Sequence, residues 1–182
     1  MILIPEPFAA IPVGFIETAE DRGYSISRAP DGWLVSDADA VTALANSYSG
    51  SVAELAFNQG KQLNALAAVY TQKLASGFTY TDGKTYQIDP QSQGNIAAMG
   101  SLAASVVNNT PGAPTWPSGF SWIAADNSQS PMTAAQMYAF SQAVAGYVSA
   151  LIVNNRVLKN AIQAATSMSA LQAINLQSGW PA

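Results

Sequence analysis

Between Met137 and Leu158 the residues Met137, Phe140, Val144, Tyr147, Leu151, Asn154 and Leu158 recur at alternating spacings of three and four. That rhythm sets them on one stripe of a helix, and a stripe so apolar has to be covered. Two coverings satisfy it. One is an intramolecular bundle against helices expected at about 52–75 and 89–107. The other is a symmetric axis between copies of the chain, where Asn154 at a core position would fix register and strand number. The start of this helix is well specified, because Thr133 and Gln136 stand in capping-box relation and Met132 and Met137 are placed for a hydrophobic staple.

The remaining elements follow from local chemistry. Val52, Leu55, Ala56, Leu63, Leu66, Tyr70 and Leu74 mark an amphipathic helix from Val52 to about Ala75, and Asp37 or Asp39 caps a shorter one ending near Tyr48. Asp82-Gly83, flanked by Phe78, Tyr80, Tyr86 and Ile88, predicts a hairpin at about 77–88. Asp89-Pro90 reads as an N-cap followed by proline at the first helical position, opening a helix to about Val107. A second aromatic segment from Trp116 to Ile123 predicts another hairpin, at about 116–128. Upstream, polar and apolar residues alternate from Gly23 to Ser36 around Pro30-Asp31-Gly32, again a hairpin pattern, while Glu17, Glu20 and Asp21 read as a polar loop. The fold class is therefore α+β, mainly α: an N-terminal β-hairpin segment over residues 1–50, then a helical bundle over 51–182 carrying two small inserted hairpins.

The chain of 182 residues has no His and no Cys. This removes Ser-His-Asp and Cys-His catalysis, His- or Cys-ligated zinc, haem, iron–sulfur clusters and disulfides. Carboxylates remain, yet Asp37 and Asp39 suit a helix start, Asp82 a turn and Asp89 a cap, and Glu17, Glu20 and Asp21 are ordinary solvating residues. No calcium-loop spacing and no glycine-rich phosphate loop is present. The expectation is no enzyme, no catalytic residues, no metal and no cofactor. With seven Lys plus Arg against 11 Asp plus Glu, a formal charge of −4 gives nucleic acid little to bind. The apolar run Ala143–Val153 is about half the ~20 residues a membrane span needs. The opening Met1–Phe8 has no basic region and two prolines, which fits synthesis in the cytoplasm. Trp and Tyr side chains of the hairpins could stack on a glycan, but small hairpins more often spend such rings on their own core. Charged residues are only 10% of the chain, against a usual figure of about 25%, as in proteins whose surfaces are covered by neighbours.

The segment Ser76-Gly77-Phe78-Thr79-Tyr80-Thr81-Asp82-Gly83-Lys84-Thr85-Tyr86-Gln87-Ile88-Asp89, with Ser92-Gln93-Gly94-Asn95-Ile96 after it, resembles a domain of unknown function common in tailed-phage and prophage tail proteins. Trp122, Asp126-Asn127, Thr133-Ala134-Ala135-Gln136-Met137, Leu158-Lys159-Asn160-Ala161-Ile162 and the ending Leu171-Gln172-Ala173-Ile174-Asn175 to Gly179-Trp180-Pro181 continue the similarity in order, over about 76–181. Ser121 and Ile123 depart from it, since charged residues are more usual there. The resemblance implies a non-enzymatic structural part of a virion tail, in the tail tip, baseplate or fibre, with other tail proteins as partners. By tail-fibre analogy alone it implies a homo-oligomer, trimeric. An assembly chaperone released before maturation and a glycan-binding receptor module are the alternatives. The N-terminal part, only loosely similar, is where a docking surface is expected, with Ile2, Ile4, Phe8, Phe15 and Trp33 as its candidate residues.

Overall fold

The computed structural model describes residues 2–5, 15–29, 32–48 and 52–181. In chain order the elements are β1 (Ile2–Pro5), α1 (Phe15–Asp21), β2 (Ile26–Ala29), β3 (Gly32–Val35), α2 (Ala38–Tyr48), α3 (Val52–Ala75), β4 (Phe78–Thr79), β5 (Thr85–Tyr86), α4 (Pro90–Val107), β6 (Ser121–Ile123), β7 (Gln129–Pro131), α5 (Ala134–Ala164) and α6 (Met168–Gln172). The fold is mainly helical with small antiparallel sheets. Compactness divides it into one unit of Met1–Ala65 with Leu158–Asn175 and a second of Leu66–Val157 with Leu176–Ala182. This division differs from the boundary near residue 50 that composition suggests, because α3 and α5 are each long enough to contribute residues to both units.

In the first unit the expected N-terminal hairpin, β2 with β3, gains a third strand. β1 pairs antiparallel with β3 so that the order is β1-β3-β2, with Ile2 and Ile26 both opposite Val35. The segment read as a polar loop is α1, whose Phe15 and Ala19 lie four apart on one face and are both fully buried, while Glu17 and Glu20 face outward. Phe15, Ala19, Ile26, Val35, Val41, Leu44 and Ala45 form one apolar cluster. Asp37 starts α2 by accepting the Ala40 N–H at 2.9 Å, the capping role its position suggests. In the same unit Gln59 of α3 donates to the carbonyls of Ile162 (2.9 Å), which also accepts the Ala165 N–H, and Ala165 (3.1 Å), so its amide caps the end of α5.

The second unit is built on α5. Its start is the expected capping box: the Thr133 N–H donates to Gln136 Oε1 at 2.9 Å, and the Gln136 N–H to Thr133 Oγ1 at 3.3 Å. Met132 and Met137 are both buried beside it. α4 begins as expected on Asp89, which accepts the Gln91 and Ser92 N–H groups, with Pro90 in the first turn. The first small hairpin, β4–β5, falls where Asp82-Gly83 predicts it, with Gly83 at φ +79. The second lies later than 116–128. Pro117 cannot donate to a ladder and Gly119 turns the chain at φ +69, so pairing begins only at Ser121 and runs to Pro131. The Ala125 N–H donates to the Thr85 carbonyl at 2.8 Å and joins the two hairpins.

α4 and α5 touch at Gly100, which is buried, and a Cβ there would collide with the Ser141 side chain. Alanine at a helical glycine normally stabilises by about 1 kcal/mol. Here overpacking outweighs that gain, so Gly100→Ala is expected to lower unfolding free energy by about 1–3 kcal/mol, and adding Ser141→Gly is expected to restore most of it. Urea denaturation of the single and double variants checks both signs.

Candidate functional site

The stripe that dominates the sequence is spent within one chain. Met137, Phe140, Val144, Leu151 and Leu158 are buried, and Tyr147 is half-buried in ring contact with Phe78, centroids 5.0 Å apart. Phe140 stands among Tyr86 (4.7 Å), Tyr80 (5.2 Å, edge-on) and Trp122 (6.3 Å), so both hairpins close on it. Asn154, the residue read as a possible setter of register between copies, donates from Nδ2 to the Ser178 carbonyl at 3.0 Å. Gly179, at φ +76, lies against that same amide with no room for a side chain, and Trp180 packs on Tyr70 while donating to the Leu176 carbonyl at 2.8 Å. The polar position on the stripe therefore holds the C-terminal segment. The five buried residues keep at most 7% of their surface exposed within the single chain.

The best-organised polar cluster centres on Asp82. Its Oδ2 accepts the Tyr86 hydroxyl at 2.6 Å and the Ser130 hydroxyl at 3.1 Å, and its Oδ1 accepts the Lys84 N–H at 3.0 Å. Lys84 Nζ donates in turn to the Gln129 carbonyl at 2.8 Å. Burial alone would raise the Asp82 pKa, but hydrogen bonds from Tyr86, the Lys84 backbone and Ser130, helped by the Lys84 charge, hold it below the usual carboxylate range. Burial and the bond to Asp82 push the Tyr86 phenol up. The cluster ties the turn of the first hairpin to β7 of the second. Sequence reasoning assigned Asp82 to its own turn and missed Ser130, since nothing local signals a partner 48 residues away.

Among the described residues of the second unit, three surface depressions stand near these side chains. Two share Pro131, Met132 and Gln136: one of about 330 Å³ walled by Trp116 and Phe120, the other of about 370 Å³ beside Tyr80 and Asp82. The Trp116 N–H is already given to the Met132 carbonyl at 3.0 Å, and its ring meets Phe120 edge-on at 4.8 Å. The third, about 560 Å³, runs between α4 and α5 over Ile96 and Val144, with Gly94, Ala97, Ala145 and Ser149 along its sides. Among the described residues no three of His, Cys, Asp and Glu gather in metal-binding geometry, and no helix is long and apolar enough to cross a membrane.

The expected docking residues are placed unevenly. Ile2 and Ile4 sit on β1, paired with Val35 and Trp33, whereas Phe8 lies outside the described residues. Phe15 is a correction: helix α1 turns it into the core with no exposed surface, so it cannot form a docking face. Trp33 is half-buried, with the Arg28 guanidinium 4.9 Å from its ring centroid.

Charge separates along the chain. Seven of the 11 acids but only two of the seven bases precede residue 40, while four acids and five bases are spread over the remainder. α4 has no charged residue at all, and the 31 residues of α5 have only Arg156 and Lys159.

Removing the Asp82 acceptor takes the charged hydrogen-bond partner from the fully buried Tyr86 hydroxyl and leaves it only Ser130, so Asp82→Ala is expected to lower unfolding free energy by about 1–3 kcal/mol, measured by urea titration at neutral pH. Because folding depresses the Asp82 pKa, its contribution is complete above the ordinary carboxylate pKa, and is lost as pH falls through the folded value. Stability of the parent should therefore fall more steeply in acid than that of Asp82→Ala, and thermal melts between pH 6 and pH 2 read the difference.

No curated protein and no solved structure matches the chain. Residues 57–175 match the family described as Domain of unknown function (DUF4376). That match covers more than half of the sequence and spans α3 to α6, both small hairpins included, and the chain belongs to this family.

Proposed function

We propose that this chain is a non-enzymatic structural component of a tailed-phage virion, acting through protein–protein assembly in the tail tip, baseplate or fibre. The observation that carries the assembly reading is the scarcity of charge on the water-facing sides of α4 and α5. A freely diffusing domain keeps roughly 25–35% of its surface as Lys, Arg, Glu and Asp to stay soluble and monomeric. Exposed positions here are instead Gly94, Asn95, Ala97, Ala98 and Ser101 on α4 and Gln142, Ala145, Gly146, Ser149 and Ala150 on α5. Such a surface costs little to desolvate against a neighbour, as the charge-depleted centre of an interface does. The tail setting comes from the ordered motif series from Ser76 to Pro181, and it implies synthesis in the host cytoplasm followed by incorporation into the tail. The spent Asp82 cluster adds to the non-enzymatic reading, since three of its acceptor positions are taken by the fold itself.

Quantitative mass spectrometry of gradient-purified particles, scaled to the major tail protein, tests this. A fixed, low integral ratio is the expected result. Absence from particles with abundant protein in the infected-cell lysate overturns the structural role in favour of an assembly chaperone. Saturable binding in a glycan array, lost on Trp116→Ala, would point to a receptor module.

A further inference from the structure

Ile152 of α5 is exposed at the wall of the α4–α5 depression, and the other large exposed apolar residues of this helix share a different side. Val153 and Val157 are each 58% exposed, and Gly146 and Ala150 on the same side of the helix are exposed as well. The spacings 146, 150, 153 and 157 are four, three and four, a second heptad stripe distinct from the buried one. Among the described residues, and apart from the backbone of its own helix, nothing lies within 4 Å of where a Gly146 side chain would begin, so the stripe is open at that position.

The order of sizes along the stripe is small, small, large, large. A two-fold axis midway between Ala150 and Val153, running two such helices antiparallel, sets Gly146 against Val157 of the second copy and Ala150 against its Val153. Every layer then joins a small residue to a large one, which is how facing helix surfaces interdigitate without voids. A parallel pair would meet glycine with glycine at one end and valine with valine at the other. Charge favours the same choice. Arg156 is the only charged residue from Ala134 to Val157, and the antiparallel arrangement separates the two copies of it by roughly 13 Å along the axis at 1.5 Å per residue. That exceeds the ~8 Å screening length, whereas a parallel pair brings both to one level. Arg156 then falls near Ser149 of the second copy, and no acid is needed on the other side.

We propose that this chain pairs with a second copy of itself, antiparallel, through the Gly146–Val157 stripe of α5. The inference does not depend on where the protein works. Four layers over about a dozen residues form a small interface, at the weak and transient end of specific contacts, so the pairing is expected only at high protein concentration.

The absence of native cysteine makes the test direct. Proteins carrying Gly146→Cys and Val157→Cys are prepared separately, mixed at several hundred micromolar and oxidised. The mixture is expected to yield a disulfide-linked dimer, and either protein alone is not, because the two-fold holds Gly146 positions roughly 16 Å apart along the axis. Sedimentation of the unaltered protein over the same range should show monomer giving way to dimer. Val153→Glu should abolish that dimer with an unchanged far-ultraviolet circular dichroism spectrum, since residue 153 is solvent-facing in the single chain. The proposal is overturned by a dimer that survives Val153→Glu, by Gly146→Cys cross-linking alone as well as in the mixture, or by a monomer at every concentration with no cross-link.

Discussion

Phe140 is the contact on which the second unit depends. Strands of two or three residues cannot hold a hairpin in water by themselves, so β4–β5 and β6–β7 exist only because something buries their inner faces. That something is α5, and the rings of Tyr80, Tyr86 and Trp122 converge on the one phenyl group it places between them. A buried phenylalanine of this kind is worth about 3–5 kcal/mol against alanine, several times the net value of any single hydrogen bond nearby. Dependence runs in both directions, because a 31-residue helix with an apolar stripe needs the hairpins as much as they need it.

The polar contacts decide something else. Burial against Phe140 is non-directional and would tolerate either hairpin sliding by a fraction of a residue. The Asp82 carboxylate does not, since one oxygen must meet both the Tyr86 and the Ser130 hydroxyls. Asn154 has the same role at the other end of the stripe, where its amide fixes the Ser178–Gly179 turn, and with it the position of Trp180 on Tyr70. Apolar area provides most of the stability, and two exposed or half-buried polar side chains choose the arrangement.

This division explains what was legible in the sequence. Asp89-Pro90, Thr133 with Gln136 and Asp82-Gly83 are each complete within a few residues, so the starts of α4 and α5 and the first hairpin could be read without knowing the rest of the fold. The third N-terminal strand could not, because pairing Ile2 with Val35 is a contact across 33 positions that no local pattern announces. Helix α1 was hidden by its length, as seven residues with two buried positions give too short a run for a 3.6-residue period to stand out from an acidic loop. The Trp116 segment was legible in part: Trp122 is a residue of β6, but Pro117 and Gly119 keep Trp116 and Phe120 ahead of the strand, so pairing starts later than the aromatic density suggests. At the candidate site the composition of the α5 stripe was plain and its use was not. A seam between copies and a seam within one chain have the same spacing, and here both hairpins and the C-terminal return to Asn154 cover the stripe from the same chain.

The two apolar stripes of α5 then have different physical meanings. The inner one carries Phe, Met and Leu, residues large enough to fill a core from one side, and the chain covers it itself. The outer one carries Gly, Ala and Val, too small to anchor a core but suited to letting a second backbone come close. Exposed valine on a helix otherwise stripped of charge lowers solubility without strengthening the fold, and Val153 and Val157 face water where Lys or Glu would serve a solitary monomer better. With seven of the 11 acids before residue 40 the chain is anionic overall, while α4 has no charged residue and α5 only Arg156 and Lys159. Such a surface would be cheap to desolvate in the self-pairing proposed for the outer stripe, while most of the chain's acids lie outside it.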